Sequence, residues 1–233
     1  MLLSKQKQIL SLVTYAVGMF LLPFILMVTT LLIAGLDPAT MTSEEALNVT
    51  TFAIVVAYAG LTLILLFLTG DVFKQDFRQI DSWGHFAKQM ALGVLCTFAA
   101  AMIGGTLVQL VGVEETAANQ EAVEAALGAM PLAMMLSVVI FAPIVEEIIF
   151  RLVLMKLFNW KPVYNILFSS FMFGFVHVLT GGVIHIIPYF LIGLVFGVIY
   201  HQNDNIWYAT ILHVLHNGLT VVLLVMSQGL WAY

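Results

Sequence analysis

Four polar residues stand in otherwise apolar stretches of this chain: Glu146, His177, His213 and Asn217. A carboxyl beside an imidazole is the pairing that takes a proton from water in hydrolysis. Two hydrogen-bonding side chains one helical turn apart, like His213 and Asn217, suit either an oxyanion site or a metal site. An ionisable residue costs about 2.5–3.5 kcal/mol to insert into a bilayer unless it is paired or hydrated. That cost makes them the first place to look for function.

Glu146 belongs to the run Pro143-Ile-Val-Glu-Glu-Ile-Ile-Phe-Arg151. Glu147 and Arg151 are four apart, acid first, and share one helix face. They can form a buried ion pair whose role is structural. Glu146 is rotated about 100° from Glu147 and has no partner within the motif, which leaves its carboxyl available as a general base. Pro143 removes one helix hydrogen bond just before the acids. Phe173 and His177 are again four apart, and a lone histidine there can be no more than a satisfied core donor. His213, His216 and Asn217 can be interhelical glue. His185, beside Gly181-Gly182, reads as an interfacial residue.

Several chemistries lack their motifs. There is no HExxH zinc-protease helix and no GxSxG nucleophile turn. Gly70-Asp71 has no second intramembrane aspartate to form a dyad. Cys96, the single cysteine, lies in an apolar stretch without an activating charge and is expected to be a buried, inert thiol. It also rules out an intrachain disulfide.

These residues must be positioned by membrane helices. Of 233 residues, 62% are hydrophobic and 9% charged, against about 25% charged in soluble domains. That composition excludes a soluble globular enzyme and a disordered chain. The net charge of −5, with no basic run, excludes a nucleic-acid partner. The runs are continuously apolar rather than alternating, so helices are expected and not a barrel. Seven stretches are near the length of a span: about 9–36, 49–69, 88–112, 131–158, 163–179, 184–200 and 206–227. The fifth and sixth are short and joined through Thr180-Gly181-Gly182, so one of them is a candidate re-entrant segment. The expectation is one all-α domain over 1–233, a polytopic membrane bundle of about seven helices.

With the N-terminus in the cytoplasm, Lys5, Lys7, Lys74, Arg78, Lys88, Lys156 and Lys161 all fall on the cytoplasmic face. Loops 37–48 and 113–130 hold Asp37, Glu44, Glu45, Glu114, Glu115, Glu121 and Glu124 and no cation. The 28-residue run at 9–36 is too long for a removable signal core, and no lipidation motif is present. A multi-pass protein of the plasma membrane is expected. Loop 70–88 reads as a solvated connection with room for an interfacial helix, and loop 113–130 as a short surface helix before Pro131. Depth is less regular. At about 1.5 Å per residue, Glu146 and His177 lie roughly 18–21 Å from the cytoplasmic ends of their spans, but His213 only about 10 Å.

Glu146-Glu147-x-x-x-Arg151, Phe173-x-x-x-His177 and His213-x-x-x-Asn217 resemble, in order and spacing, the three motifs of the CPBP family. These are the CAAX-protease and bacteriocin-processing (Abi) membrane endopeptidases. The resemblance covers about 131–217, the motif-bearing core, and not the first three spans. It implies an intramembrane endopeptidase acting on a membrane-associated protein or peptide of CAAX type or of bacteriocin or pheromone type. Carried over, Glu146 activates a water that His177 helps to hold. His213 and Asn217 stabilise the oxyanion, and Glu147, Arg151 and Phe173 support the site. No cofactor is implied by this version. Family members have also been described as metalloproteases, and Glu146, His177 and His213 with a water would make a catalytic zinc site. The rival class is a non-catalytic scaffold, regulator or small transporter of the same fold. All four residues are retained, which a degenerate scaffold need not do. The polar groups lie entirely in the second half, unlike the two-fold pattern of many transporters.

Overall fold

The computed structural model describes residues 3–113 and 115–228. Glu114, which the orientation argument above included, lies outside the described residues. The described chain is all-α. It runs α1 (Lys5–Phe20), α2 (Leu22–Ala34), α3 (Ser43–Arg78), α4 (Trp83–Leu110), α5 (Ala118–Ala129), α6 (Pro131–Leu157), α7 (Pro162–His177), α8 (Ile186–Asn203) and α9 (Ile206–Gln228). A 3₁₀ turn, Val183–His185, leads into α8.

Local chemistry sets most of these ends. Ser4 caps α1 by accepting from the Lys7 amide. Thr42 and Glu45 form a reciprocal capping box at the start of α3. Gly35 closes α2 in the left-handed conformation, φ 65°, which costs glycine nothing. Pro131 and Pro162 sit in the first turns of α6 and α7, where the missing N–H is not needed.

Five helices are long and apolar enough to cross a membrane: α3, α4, α6, α8 with its 3₁₀ turn, and α9. α1 and α2 meet at a bend of 40°, and would together make a sixth crossing. α7 has 16 residues, about 24 Å of helix against a hydrocarbon core of about 30 Å. Every one of the seven apolar stretches is therefore helical, but the first is broken and the fifth is short. Outward-facing Leu63, Phe67, Leu95, Met102 and Leu132 are largely exposed, as lipid-facing side chains must be. The protein is an integral, multi-pass membrane protein.

Two expectations need correction. The connection expected over 70–88 shrinks to 79–82, because α3 continues to Arg78 and α4 begins at Trp83. Its polar residues extend the helix beyond the apolar segment, and Asp76 becomes buried. Cys96 is exposed; it lies on the outer face of α4, where Leu92 and Leu95 are also exposed. Apolar surroundings in the sequence meant lipid there, not core. The acidic 113–130 segment does form the expected surface helix, α5.

The core gathers α6 to α9 around Phe150, Phe173, Phe196, Tyr200 and Leu212. α7 and α8 pack as a hairpin that approaches closely at Gly193. A Cβ there would stand 3.1 Å from Phe173 Cδ1 and 3.3 Å from the Ser170 Cα. α6 is interrupted by wider π turns at Ser137–Phe141 and Ile148–Leu154, the irregularity that tends to accompany functional sites. Pro143, Glu146 and Glu147 stand on the ordinary α segment between them.

α9 begins inside the bundle. Asn205 and Ile206 are buried. The Ile206 amide donates to Asp76 Oδ2 at 2.9 Å, and the Asn205 side chain to the Asp76 carbonyl at 2.7 Å. The end of α3 thus caps α9. An open cavity at that end is lined by Lys5, Lys156, Trp160, Tyr200 and Asp204. Lys156 pairs with Asp204, and Lys5 Nζ donates to the Leu157 carbonyl at 2.6 Å.

Candidate active site

Glu146 points away from its own helix partners and towards two histidines from elsewhere. Its Oε2 lies 3.9 Å from His177 Nε2 and 3.8 Å from His213 Nε2. Three separate helices, α6, α7 and α9, therefore meet at one point. Those gaps are too long for direct hydrogen bonds.

Each ring is held through its other nitrogen. His177 Nδ1–H donates to the Phe173 carbonyl at 2.7 Å. His213 Nδ1–H donates to Glu147 Oε1 at 2.9 Å. A carbonyl and a carboxylate only accept, so these partners fix the tautomer. A neutral ring in either position presents a bare Nε2 to Glu146. The His213 consequence was not visible in the sequence. Its Nε2 donates a hydrogen bond only when the ring carries a second proton, which the adjacent Glu147 carboxylate is placed to balance.

Glu147 is fully buried and serves two partners at once. Its Oε2 pairs with Arg151 Nε at 3.0 Å, one turn further along as the i, i+4 spacing predicted. Arg151, also fully buried, spends its remaining donors on Ser169 Oγ at 2.8 Å and the Gly193 carbonyl at 3.3 Å. Ser169 in turn donates a hydrogen bond to the Phe150 carbonyl at 2.6 Å. The guanidinium thereby ties α6 to α7 and α8. It lies over the Phe173 ring, 5.5 Å from the centroid.

Phe173 is the wall of the site. It contacts the His177 ring at 4.6 Å and the His213 ring at 5.7 Å between centroids. Phe196 stacks on His213 at 4.4 Å and 27°. Tyr189 stacks on His177 at 4.5 Å and 25°. Sequence reading passed over Ser169, Tyr189 and Phe196. The Ser169-Ser170 pair in an apolar helix was a usable signal for a buried polar partner. An aromatic residue among many others on an apolar helix carries no such signal.

Asn217 is one turn beyond His213 on α9, and its amide donates to the Val138 carbonyl at 2.9 Å. One of its two N–H donors is thus committed to the π turn of α6. His216 turns elsewhere, to Thr97 on α4 at 3.1 Å. His185 sets both ring nitrogens against carbonyls, Gly182 at 3.1 Å and Glu115 at 3.0 Å, and so pins the loop before α5.

Glu146, His177 and His213 have the right donor chemistry for zinc, and each histidine has the orienting partner typical of a metal ligand. Their spacing fits less well. Neighbouring ligands in a tetrahedral zinc shell with bonds of about 2.0–2.1 Å stand roughly 3.3 Å apart, closer than the 3.8 and 3.9 Å here. No group of three metal-binding side chains meets the geometric requirement among the described residues.

The fold and site define a polytopic helical membrane protein with an acid and two imidazoles converging in its core. Residues 128–219 match the family described as type II CAAX prenyl endopeptidase Rce1-like. Over 187 residues the chain is 26% identical to a Bacillus subtilis (strain 168) protein named "Putative membrane peptidase YdiL", covering 78% of this chain and 75% of that one. Over 155 residues it is 28% identical to an uncharacterized protein of Mycoplasma capricolum subsp. capricolum, covering 60% of this chain and 46% of that one. No solved structure matches. The matched segment and the similarity to a protein named as a membrane peptidase together support a membrane peptidase.

Proposed function

We propose that this protein is an intramembrane endopeptidase, working in the plasma membrane, that cleaves a membrane-associated protein or peptide with a water activated by Glu146. The observation that carries this reading is the convergence of Glu146 Oε2 with two Nε2 atoms at 3.9 and 3.8 Å. All three are acceptors when the rings are neutral, so a molecule bringing its own protons is what completes the group.

In the reaction, a water donates one hydrogen bond to the Glu146 carboxylate and the other to His177 Nε2. Its oxygen attacks the scissile carbonyl carbon, and the proton facing Glu146 moves onto it as the new C–O bond forms. Negative charge collects on the carbonyl oxygen. His213, doubly protonated against Glu147, and the second N–H of Asn217 are the donors that stabilise it. Glu146 then gives its proton to the departing nitrogen as the C–N bond breaks. The family supplies two substrate types, a prenylated CAAX protein or a bacteriocin or pheromone precursor, and Glu146 serves both in the same way.

A second reading has an observation of its own. The carboxylate bonded to His213 Nδ1 and the carbonyl bonded to His177 Nδ1 are what metal-ligating histidines also use. Glu146, His177 and His213 would hold the zinc, which would supply a more acidic water. The spacing favours the metal-free version.

The test uses the purified full-length protein in lipid vesicles with a farnesylated CAAX peptide and its unprenylated counterpart. A Glu146→Gln variant is expected to fold, insert and cleave neither. Cleavage by that variant at the wild-type rate would falsify the glutamate reading. Abolition of wild-type activity by phenanthroline, with restoration by zinc, would select the metal-dependent reading instead.

A further inference from the structure

We propose that Tyr189, held by Asn119, is a positioning residue for His177. The proposal rests on the reading in which His177 holds the hydrolytic water. His177 is the last residue of α7, and its ring has one polar tether, the 2.7 Å bond from Nδ1 to the Phe173 carbonyl. A single hydrogen bond leaves the ring free to swing about it. The aim of Nε2 at Glu146 therefore needs a further constraint.

Tyr189 supplies that constraint from α8. Its ring lies nearly parallel to the imidazole, 25° apart with centroids at 4.5 Å. Phe173 also touches the imidazole, but at a tilt of 42°. The phenol oxygen of Tyr189 accepts from Asn119 Nδ2 at 3.4 Å. Asn119 comes from the first turn of α5, seventy residues away in the chain. The same segment is fastened a second time, where His185 Nε2 meets the Glu115 carbonyl at 3.0 Å. The surface helix and its lead-in are thus joined to the start of α8, and through Tyr189 to the proposed water-holding ring. An acidic surface segment that looked uninvolved in the sequence becomes the outermost member of the site.

The arrangement orders three effects. Tyr189→Leu removes the ring and frees His177. A displacement of about 1 Å at a reacting group costs about 100-fold in rate, so kcat is expected to fall about 10- to 100-fold with KM nearly unchanged. Tyr189→Phe keeps the stack, loses only the tether, and is expected to recover most of the rate. Asn119→Ala should match Tyr189→Phe, and the double variant should be no worse than either, because both remove one interaction.

Peptide hydrolysis by each variant in vesicles, with kcat and KM separated and melting recorded in parallel, tests the proposal. Tyr189→Met, ringless but flexible, stands in for the Leu variant should that one not fold. Wild-type kcat in a ringless variant, or a change confined to KM, overturns it; the latter would make Tyr189 a substrate-binding residue. A loss of rate that Tyr189→Phe does not recover also overturns it. Glu146→Gln serves as the control: if that variant is active, the underlying reading has failed rather than this inference.

Discussion

Glu147 Oε1 accepts a hydrogen bond from His213 Nδ1 at 2.9 Å while its Oε2 pairs with Arg151 Nε at 3.0 Å. One buried carboxylate therefore connects a structural ion pair to an imidazole beside the reacting centre. Neighbouring acids in sequence have divided tasks. Glu147 is held from two sides, whereas the histidines facing Glu146 stand 3.9 and 3.8 Å from its Oε2.

That division predicts different costs for the same substitution. Glu147→Gln places an amide N–H against either Arg151 or His213, both of which donate. Breaking a buried ion pair costs about 3–5 kcal/mol, so this variant should melt well below wild type. Glu146→Gln disturbs no hydrogen bond shorter than 3.5 Å and should melt within about 1 kcal/mol of wild type. Thermal unfolding in detergent, with cleavage measured alongside, reads both; equal losses of stability would reject the division.

Arg151→Leu should prevent accumulation of folded protein, because Glu147 would keep a buried charge without its counterion. Removing both charges, as Glu147→Leu with Arg151→Leu, should recover part of the stability, since apolar replacement of a whole buried pair is often tolerated. The double variant should remain inactive, because His213 has lost its acceptor. Recovery is read by size-exclusion profile and melting. Activity in the double variant would show that His213 needs no orienting carboxylate.

The two proposed protonation states make the rate fall on both sides of an optimum. As pH drops, Glu146 gains a proton and can no longer accept one from water. As pH rises, His213 loses its second proton and ceases to donate to the oxyanion. The pH profile of kcat/KM should therefore be bell-shaped. In His213→Gln the amide donates at every pH, so the alkaline limb should vanish while the overall rate falls about 100-fold, the usual scale for an impaired oxyanion donor. An alkaline limb unchanged in that variant would assign it to another group.

Asp76 reaches the site from a distance by capping α9. Asp76→Ala leaves the Ile206 amide without its acceptor inside the bundle, at about 1–3 kcal/mol for a buried group so stranded, while the Asn205 bond to the backbone carbonyl of residue 76 is kept. Asp76→Asn keeps an acceptor and should lose less. Since α9 carries His213, the Ala variant is also expected to lower cleavage. Comparing the melting temperatures and rates of the two variants checks the link; identical behaviour would mean that the cap does not hold α9.

Much of this was legible in the residues. Continuous apolar runs marked all seven helical stretches, the i, i+4 spacing of Glu147 and Arg151 announced their pairing, and the three motifs picked out Glu146, His177 and His213. The polar stretch 70–88 misled, because polarity says where a helix leaves lipid and not where it ends. Cys96 misled for the converse reason, since lipid and protein core are equally apolar neighbours.

Chain order alone determined that the protein lives in a bilayer and which side chains are too costly there to be idle. Tertiary structure decided how those side chains are spent. Only packing brings Glu147 to His213, and so makes its Nε2 an acceptor until a second proton arrives. Only packing brings His213 on α9 to Glu146 on α6, and Asn119 across to Tyr189. Hydrophobicity and helical periodicity are local and repeat along a chain. A hydrogen bond between distant helices depends on how those helices cross, and that is set by the fit of the whole bundle.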